Sequence, residues 1–355
     1  MVEWLAGNRI RGTSTERGTM ISSLPSGSVG GWKEVGRTTL GSAGDTITVA
    51  SLADKRYYMV LVNPIMNGAT PQTSFRMGNS TIDTGSNYSW REERDGGTDV
   101  TGINATWQTL VGYTANNAMD FAVMNIANLS GKEKLSTSHS VYGVTGAGNA
   151  PHRTHNVAKW TNTSNPLDTL QAFNSYLSEF AIGSEVVVLG WDPADTHTTN
   201  FWEELASTTL TSAGDLSSGT ITAKKYLWVQ IYSTTGTSAN DYLRFNSDSG
   251  TNYSDRKSAD GATDATRTGQ TALINHINEG GRTTPSFTNL FIINNSANEK
   301  LVTGHVVQQL TAGAGNAPSR LEVVGKWANT SSQITNITAF GTLGIGSIIK
   351  VWGSN

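Results

Sequence analysis

The chain has 355 residues, room for two ordinary domains or one large one, each with core enough to fold. Only 15% of residues are charged, against about 25% in a typical soluble domain, and a net charge of -3 with a pI near 6.1 gives no electrostatic reason to expect nucleic acid. The absence of Cys excludes disulfide scaffolds, cysteine-ligated metals, Fe–S clusters and thiol catalysis. Gly occupies 38 positions, and Ser, Thr and Asn crowd the polar set. These residues favour turns, caps and extended backbone over helix, so an all-β chain is expected. The longest apolar runs, such as Val186 to Leu189, are too short to span a bilayer, and the first residues carry no apolar core of a secretory signal.

In chain order, residues 1–31 form an N-terminal arm without counterpart elsewhere. Trp4, Arg9, Arg11 and Arg17 mark it, and Ser22 to Gly31 is a flexible Ser/Gly connection. An ordered arm of this kind needs a surface to lie against, most simply a neighbouring subunit. Residues 32–192 form a first domain with strands expected at Tyr57–Val62, Phe121–Ile126, Val157–Trp160 and Glu185–Gly190. Pro166 to Phe180 is read as one or two helical turns. Residues 193–199 are a linker. Residues 200–355 form a second domain, with strands at Tyr226–Tyr232, Leu290–Asn294, His305–Leu310, Leu321–Trp327 and Ile348–Trp352. These segments are short, rich in Val, Ile, Tyr and Trp, and bounded by Gly, Asn, Asp and Thr. Several are apolar on both faces, which predicts strands covered on each side or at an interface.

The second domain repeats the first. Thr38-Thr39-Leu40-Gly41-Ser42-Ala43-Gly44-Asp45 returns as Thr208-Thr209-Leu210-Thr211-Ser212-Ala213-Gly214-Asp215. Asn87-Tyr88-Ser89 returns as Asn252-Tyr253-Ser254, and Asp95-Gly96-Gly97-Thr98-Asp99 as Asp260-Gly261-Ala262-Thr263-Asp264. Glu133-Lys134-Leu135, the loop Gly146 to Pro151, and Lys159-Trp160-Thr161-Asn162-Thr163-Ser164 recur with the same order, at offsets of 163–170 residues across the whole set. The fold class predicted is therefore all-β: two tandem duplicated β-sandwich domains, jelly-roll-like, preceded by the arm.

Few residues suggest chemistry. Gly146 to Pro151 and Gly313 to Pro318 are Gly-rich, but Pro stands where a phosphate loop needs its third glycine and a strand follows, so both are read as inter-strand loops. Asp95 with Asp99, and Asp260 with Asp264, pair carboxylates around glycines as weak Ca²⁺ candidates; ordinary Asp-Gly turns are the plainer reading. His152 and His155 would point to opposite strand faces, and His139 and His305 are read as satisfied structural histidines that each open a strand. Glu92 with Glu93 and Glu203 with Glu204 are adjacent acids on surface edges, not a glycosidase pair. No nucleophile elbow or zinc-protease motif occurs. The chain is read as non-enzymatic, with no cofactor and no catalytic residue. Of ten Trp, Trp90, Trp107 and Trp228 lack partners in the other copy and are candidate exposed aromatic contacts.

The repeating set Thr-Leu-x-Ser-Ala-Gly-Asp, Asn-Tyr-Ser, Glu-Lys-Leu, Gly-Ala-Gly-Asn-Ala-Pro and Lys-Trp-x-Asn-Thr-Ser resembles repeat domains in structural proteins of bacterial and archaeal viruses. That resemblance covers residues 32–355 and implies a virion component, a capsid shell or decoration protein assembled in the host cytoplasm. Its expected partners are itself and other virion proteins; a chain with two sandwich copies can trimerise with pseudo-sixfold symmetry. The alternative is a carbohydrate-binding or receptor-binding adhesin or fibre module that stacks sugars on exposed aromatics.

Overall fold

A computed structural model describes residues 3–5, 9–11, 31–68, 72–113, 118–177, 179–193, 195, 200–234, 242–275, 284–309 and 311–355. The described residues contain no α-helix. Each copy is a sandwich of an eight-stranded antiparallel sheet and a smaller one. The large sheet of the first copy runs, in spatial order, Val100–Ala105, Tyr88–Arg94, His152–Trp160, Lys134–Tyr142, Phe121–Ala127, Tyr57–Asn63, Glu185–Trp191, Lys33–Thr39. The second copy repeats this strand for strand: Ala265–Gln270, Tyr253–Ala259, Ser319–Trp327, Lys300–Gln308, Ser286–Ile293, Tyr226–Ser233, Ile348–Ser354, Glu203–Thr209. The duplication read from motifs is thus a duplication of topology.

Side chains alternate across each large sheet. In the first copy Tyr58, Val60, Val62, Ala122, Met124, Val186 and Val188 face the small sheet and close a core with Phe75, Met77 and Leu170. Their neighbours Met59, Leu61, Phe121, Val123, Val187 and Leu189 face the other way, into a third cluster with Tyr226, Ile293, Leu301 and Val324 of the second copy. The two large sheets therefore pack face to face, in the layer order small, large, large, small. This is why the central strands are apolar on both faces.

The repeated motifs are structural devices. The Trp160 and Trp327 indole N–H groups donate to Asp83 and Asp248, both at 2.7 Å. Each Asp also accepts the backbone N–H two residues on, at Gly85 or Gly250, and the Asn87 or Asn252 amide. Lys134 and Lys300 are fully buried and donate to backbone carbonyls, among them Asn162 and Asn329. Asp95 and Asp260 have φ of 53°, followed by Gly96 and Gly261 at 76° and 78°, and backbone bonds close the turns. These are type I′ turns, whose left-handed pair favours Asp-Gly.

Several expectations are corrected. Pro166 to Phe180 is not helical: Thr169–Asn174 is a strand of the small sheet and Glu179–Phe180 a short strand pairing with Met66–Asn67. The spacing of Leu167, Leu170 and Phe173 imitates a helix, but Leu170 and Ala172 alternate into the core as a strand requires. His139 and His305 lie well inside Lys134–Tyr142 and Lys300–Gln308 and open neither. Within the arm, Glu3–Leu5 and Arg9–Arg11 pair as an antiparallel hairpin; the side chains of Trp4, Arg9 and Arg11, and all of Arg17, lie outside the described residues, as does most of the 193–199 linker.

Candidate functional site

The joint between the copies is asymmetric. The first copy contributes the end of its sheet where Phe121 pairs with Val141; the second contributes the opposite end, where Ile293 pairs with Leu301. Phe121 meets Tyr226 with ring centroids 6.3 Å apart, and Glu185 accepts from the Tyr226 hydroxyl at 2.7 Å and pairs with Lys225 at 3.0 Å. Burial and the facing Glu185 carboxylate push the Tyr226 hydroxyl well above its ordinary pKa. At the rim the first copy's Gly146–Pro151 loop lies on the second copy. The Gly269 N–H donates to the Ala147 carbonyl at 2.7 Å, Ser254 to Asn149 at 2.9 Å, Arg256 to Pro151 at 2.7 Å, and Lys326 to Val144. Gly146 N–H donates to Glu299 at 2.5 Å.

Arg153 locks the joint. Its guanidinium, almost fully buried, binds Asp264 twice at 2.9 Å and reaches Glu322 and Glu93 at 2.8 Å. Asp95 accepts from the backbone N–H of Arg153 at 3.0 Å, pairs with His152, and faces Arg256 of the other copy at 3.2 Å. Although burial works against it, these partners hold the Asp95 carboxyl below the usual carboxylate range. Asp260 accepts from Ser319 and the Arg320 backbone, and Asp99 pairs with Arg91 at 3.2 Å. The four carboxylates singled out for Ca²⁺ each face protein donors, mostly Arg, and two of them, Asp95 and Asp264, belong to the joint. Glu92 pairs with Arg94, Glu93 with Arg153, Glu203 with Lys224 and Glu204 with Lys350.

The duplication exposes what the joint leaves open. Leu301 of the second copy is 4% exposed in the joint; its equivalent Leu135 is 56% exposed. Val324 is 0% exposed and its equivalent Val157 52%. Phe121 of the first copy is 1% exposed, and its equivalent Phe287 39%. The loop at Gly313 to Pro318 repeats the docked Gly146 to Pro151 residue for residue, yet is wholly exposed. Glu299 and Lys326 are buried under the docked loop, whereas Glu133 and Lys159 pair at 3.0 Å in the open. Each copy thus carries both halves of the joint, and each keeps one half uncovered.

The three singled-out tryptophans fall elsewhere. Trp228 is half-buried against Phe291, Trp202 and Trp352, and donates to Asn289 at 2.7 Å. It belongs to the joint and is no outward platform. Trp90 lies over its cross-strand partner Gly102, where a Cβ would come within 2.3 Å of the indole. Trp107 packs edge-on against Phe173 beside Arg76. The aromatic-lined cavity instead holds Trp32, Tyr57 and Trp191, about 480 Å³ on the uncovered end of the first copy, with Leu135, Asn125 and Thr137. Tyr57 and Trp191 stack there at 5.6 Å.

No protein-family model and no characterised protein sequence matches the chain. Among solved structures it is similar to domains LG4-5 of the mouse laminin alpha1 chain, at 9% identity over 91% of this chain and 90% of that one, with a TM-score of 0.19. It is also similar to Ail, the attachment invasion locus protein of Yersinia pestis, at 6% identity over 81% of this chain and 98% of that one, with a TM-score of 0.12. At such scores neither likeness bears on fold or function.

Proposed function

We propose that this chain is a non-enzymatic structural subunit that works by self-association, and that copies join head to tail through their uncovered half-joints. The Phe287/Val307 end and the Gly313–Pro318 loop of one chain would cover the Leu135/Val157 end of the next. One observation carries this: Leu135, Val157, Phe287 and Val307 at the open ends each have a twin of the same type, at the same strand position, that is buried in the joint between the copies, namely Leu301, Val324, Phe121 and Val141. Apolar side chains left exposed together mark interaction sites, and here the chain itself contains the matching surface. The setting in a virion, as shell or decoration, rests on the resemblance of the repeated motifs.

The test is mass in solution by light scattering for the natural chain, Leu135→Asp, Phe287→Asp and a mixture of the two variants. Oligomers of the natural chain, monomers of each variant, and a 1:1 dimer on mixing are expected, because the mixture keeps one intact pair of ends. A natural chain that stays monomeric at high concentration overturns the reading, as does an oligomer that neither substitution weakens. A second reading, glycan binding, is favoured by the Trp32/Tyr57/Trp191 cavity. It requires that Trp191→Ala abolish binding in a glycan screen while leaving the mass unchanged.

A further inference from the structure

Three histidines meet in the middle of the joint. His139 and His155 are register partners on neighbouring strands of the first copy, and His305 takes the equivalent place to His139 in the second, opposite Glu322. Face-to-face packing brings the pairs together: ring centroids are 3.9 Å apart for His139 and His155, 4.9 Å for His139 and His305, and 5.3 Å for His155 and His305. One ring nitrogen from each lies within 4.8 Å of the others. They line a cavity of about 260 Å³ with Thr303, Asn289 and Thr137.

The hydrogen bonding of this cluster is incomplete. His139 is 8% exposed, yet neither of its ring nitrogens has a protein partner, and the buried Nε2 of His155 has none either. The nearest carboxylate to His155 is Glu322 at 3.7 Å, beyond hydrogen-bond reach and held by Arg153. Buried polar groups are almost always satisfied, and leaving a ring unpaired is costly. Burial lowers the pKa of His139 well below its ordinary value and that of His155 to about 4; neighbouring imidazoles and Arg153 push the same way, while Glu322 opposes the shift at His155. The rings therefore present neutral lone pairs at pH 7. Tetrahedral zinc with nitrogen ligands needs them about 3.4 Å apart, so binding requires the rings to turn inward from their present span of 4.8 Å.

We propose that His139, His155 and His305 form a transition-metal site, of the imidazole class that suits Zn²⁺, Ni²⁺ or Cu²⁺, with ligands from both copies so that the ion clamps the two domains together. Glu322, 3.7 Å from His155, is engaged by Arg153, so the ligands the protein offers are the three imidazoles. The site lies within one chain and is independent of the head-to-tail reading.

The experiment uses the full chain stripped by a chelator and titrated with Zn²⁺, and in parallel with Co²⁺ to read the visible bands of a low-symmetry site. One ion per chain is expected, with Co²⁺ bands. At 100-fold excess over Kd the folded-to-unfolded ratio should rise about 100-fold. His305→Ala, at an exposed position where folding is not at risk, should weaken binding by at least tenfold and abolish the bands. His197→Ala, which changes a histidine of the 193–199 linker, should leave both intact. Absence of stoichiometric binding, or binding that His305→Ala does not weaken, overturns the proposal.

Discussion

The duplication supplies its own control for the joint, in the pair Leu301→Ala and Leu135→Ala. The two residues hold the same strand position, but Leu301 is buried against the other copy and Leu135 stands at the open end. Truncating a buried Leu costs about 2–5 kcal/mol, the spread reflecting how far the site collapses. Leu301→Ala should therefore lower stability by about 3 kcal/mol at any protein concentration. Leu135→Ala, measured dilute where chains are separate, should change stability by no more than about 0.5 kcal/mol, as for a surface site. Its effect should appear in association instead. Covering the rest of that side chain contributes about 1.5 kcal/mol, so the Kd between chains should rise about tenfold. Urea unfolding at low concentration and sedimentation across a concentration series read the two quantities separately. Equal destabilisation by both substitutions in dilute solution, or an unchanged Kd for Leu135→Ala, would refute the reasoning.

Other consequences follow from single groups. Hydrogen bonds from Trp160 and Trp327, Gly85 and Gly250, and Asn87 and Asn252 hold the Asp83 and Asp248 carboxyls below their ordinary pKa, against a burial that raises it. A depressed carboxylate adds stability above its unfolded pKa and loses it as pH falls through the folded value, so acid unfolding should set in below about pH 4. Asp83→Ala plus Asp248→Ala should remove that part of the acid limb and cost about 1–3 kcal/mol per site at pH 7 by stranding each indole N–H, as followed by circular dichroism. Arg153→Met leaves Asp264, Glu93 and Glu322 without their shared cation. Breaking such a buried set costs about 3–5 kcal/mol, and Arg320→Met, at an exposed guanidinium, should cost under about 0.5 kcal/mol by the same urea titration.

The duplication, the sandwich class and the central strands were legible because they rest on local patterns: repeated motifs and two-faced apolar runs such as Tyr226 to Tyr232. Strands at the rims were not. Val100–Ala105 and Ala265–Gln270 are mostly exposed, so they show no apolar alternation, and their pairing comes from the neighbours they extend. The joint was hidden for a different reason. Leu135 and Leu301, Val157 and Val324, Phe121 and Phe287 are identical in type, so which twin is covered is decided by the docking of whole sheets. The histidines illustrate the same limit. His139 and His305 stand in register in the two copies, a usable signal, but that sheet packing would set them beside His155 is written only in three dimensions. Spacing pairs Asp95 with Asp99 and Asp260 with Asp264, but it cannot reveal that Arg256 faces Asp95 and that Arg153 and Arg256 face Asp264 across the joint.

A joint that uses different ends of its two copies leaves one end of each kind free, and such heterologous contacts either close into a ring or run on as a filament. If the contact between chains reproduces the contact within them, one angle governs every step. Two chains would then place four sandwich copies around a ring and three would place six, the pseudo-sixfold arrangement expected for a double-sandwich shell subunit. The outcomes separate by mass. A closed ring gives one whole multiple of 37.8 kDa that stops growing once saturated, and Leu135→Asp chains added in small amount cannot cap it. A filament grows with concentration, and the same Leu135→Asp chains, which retain the Phe287 end, cap it at one terminus and shorten it in proportion to their fraction. Mass photometry on such mixtures therefore reads the angle between the copies. A distribution unaffected by Leu135→Asp and also free of any discrete multiple would mean that the open ends do not meet, and that their apolar residues serve a different partner.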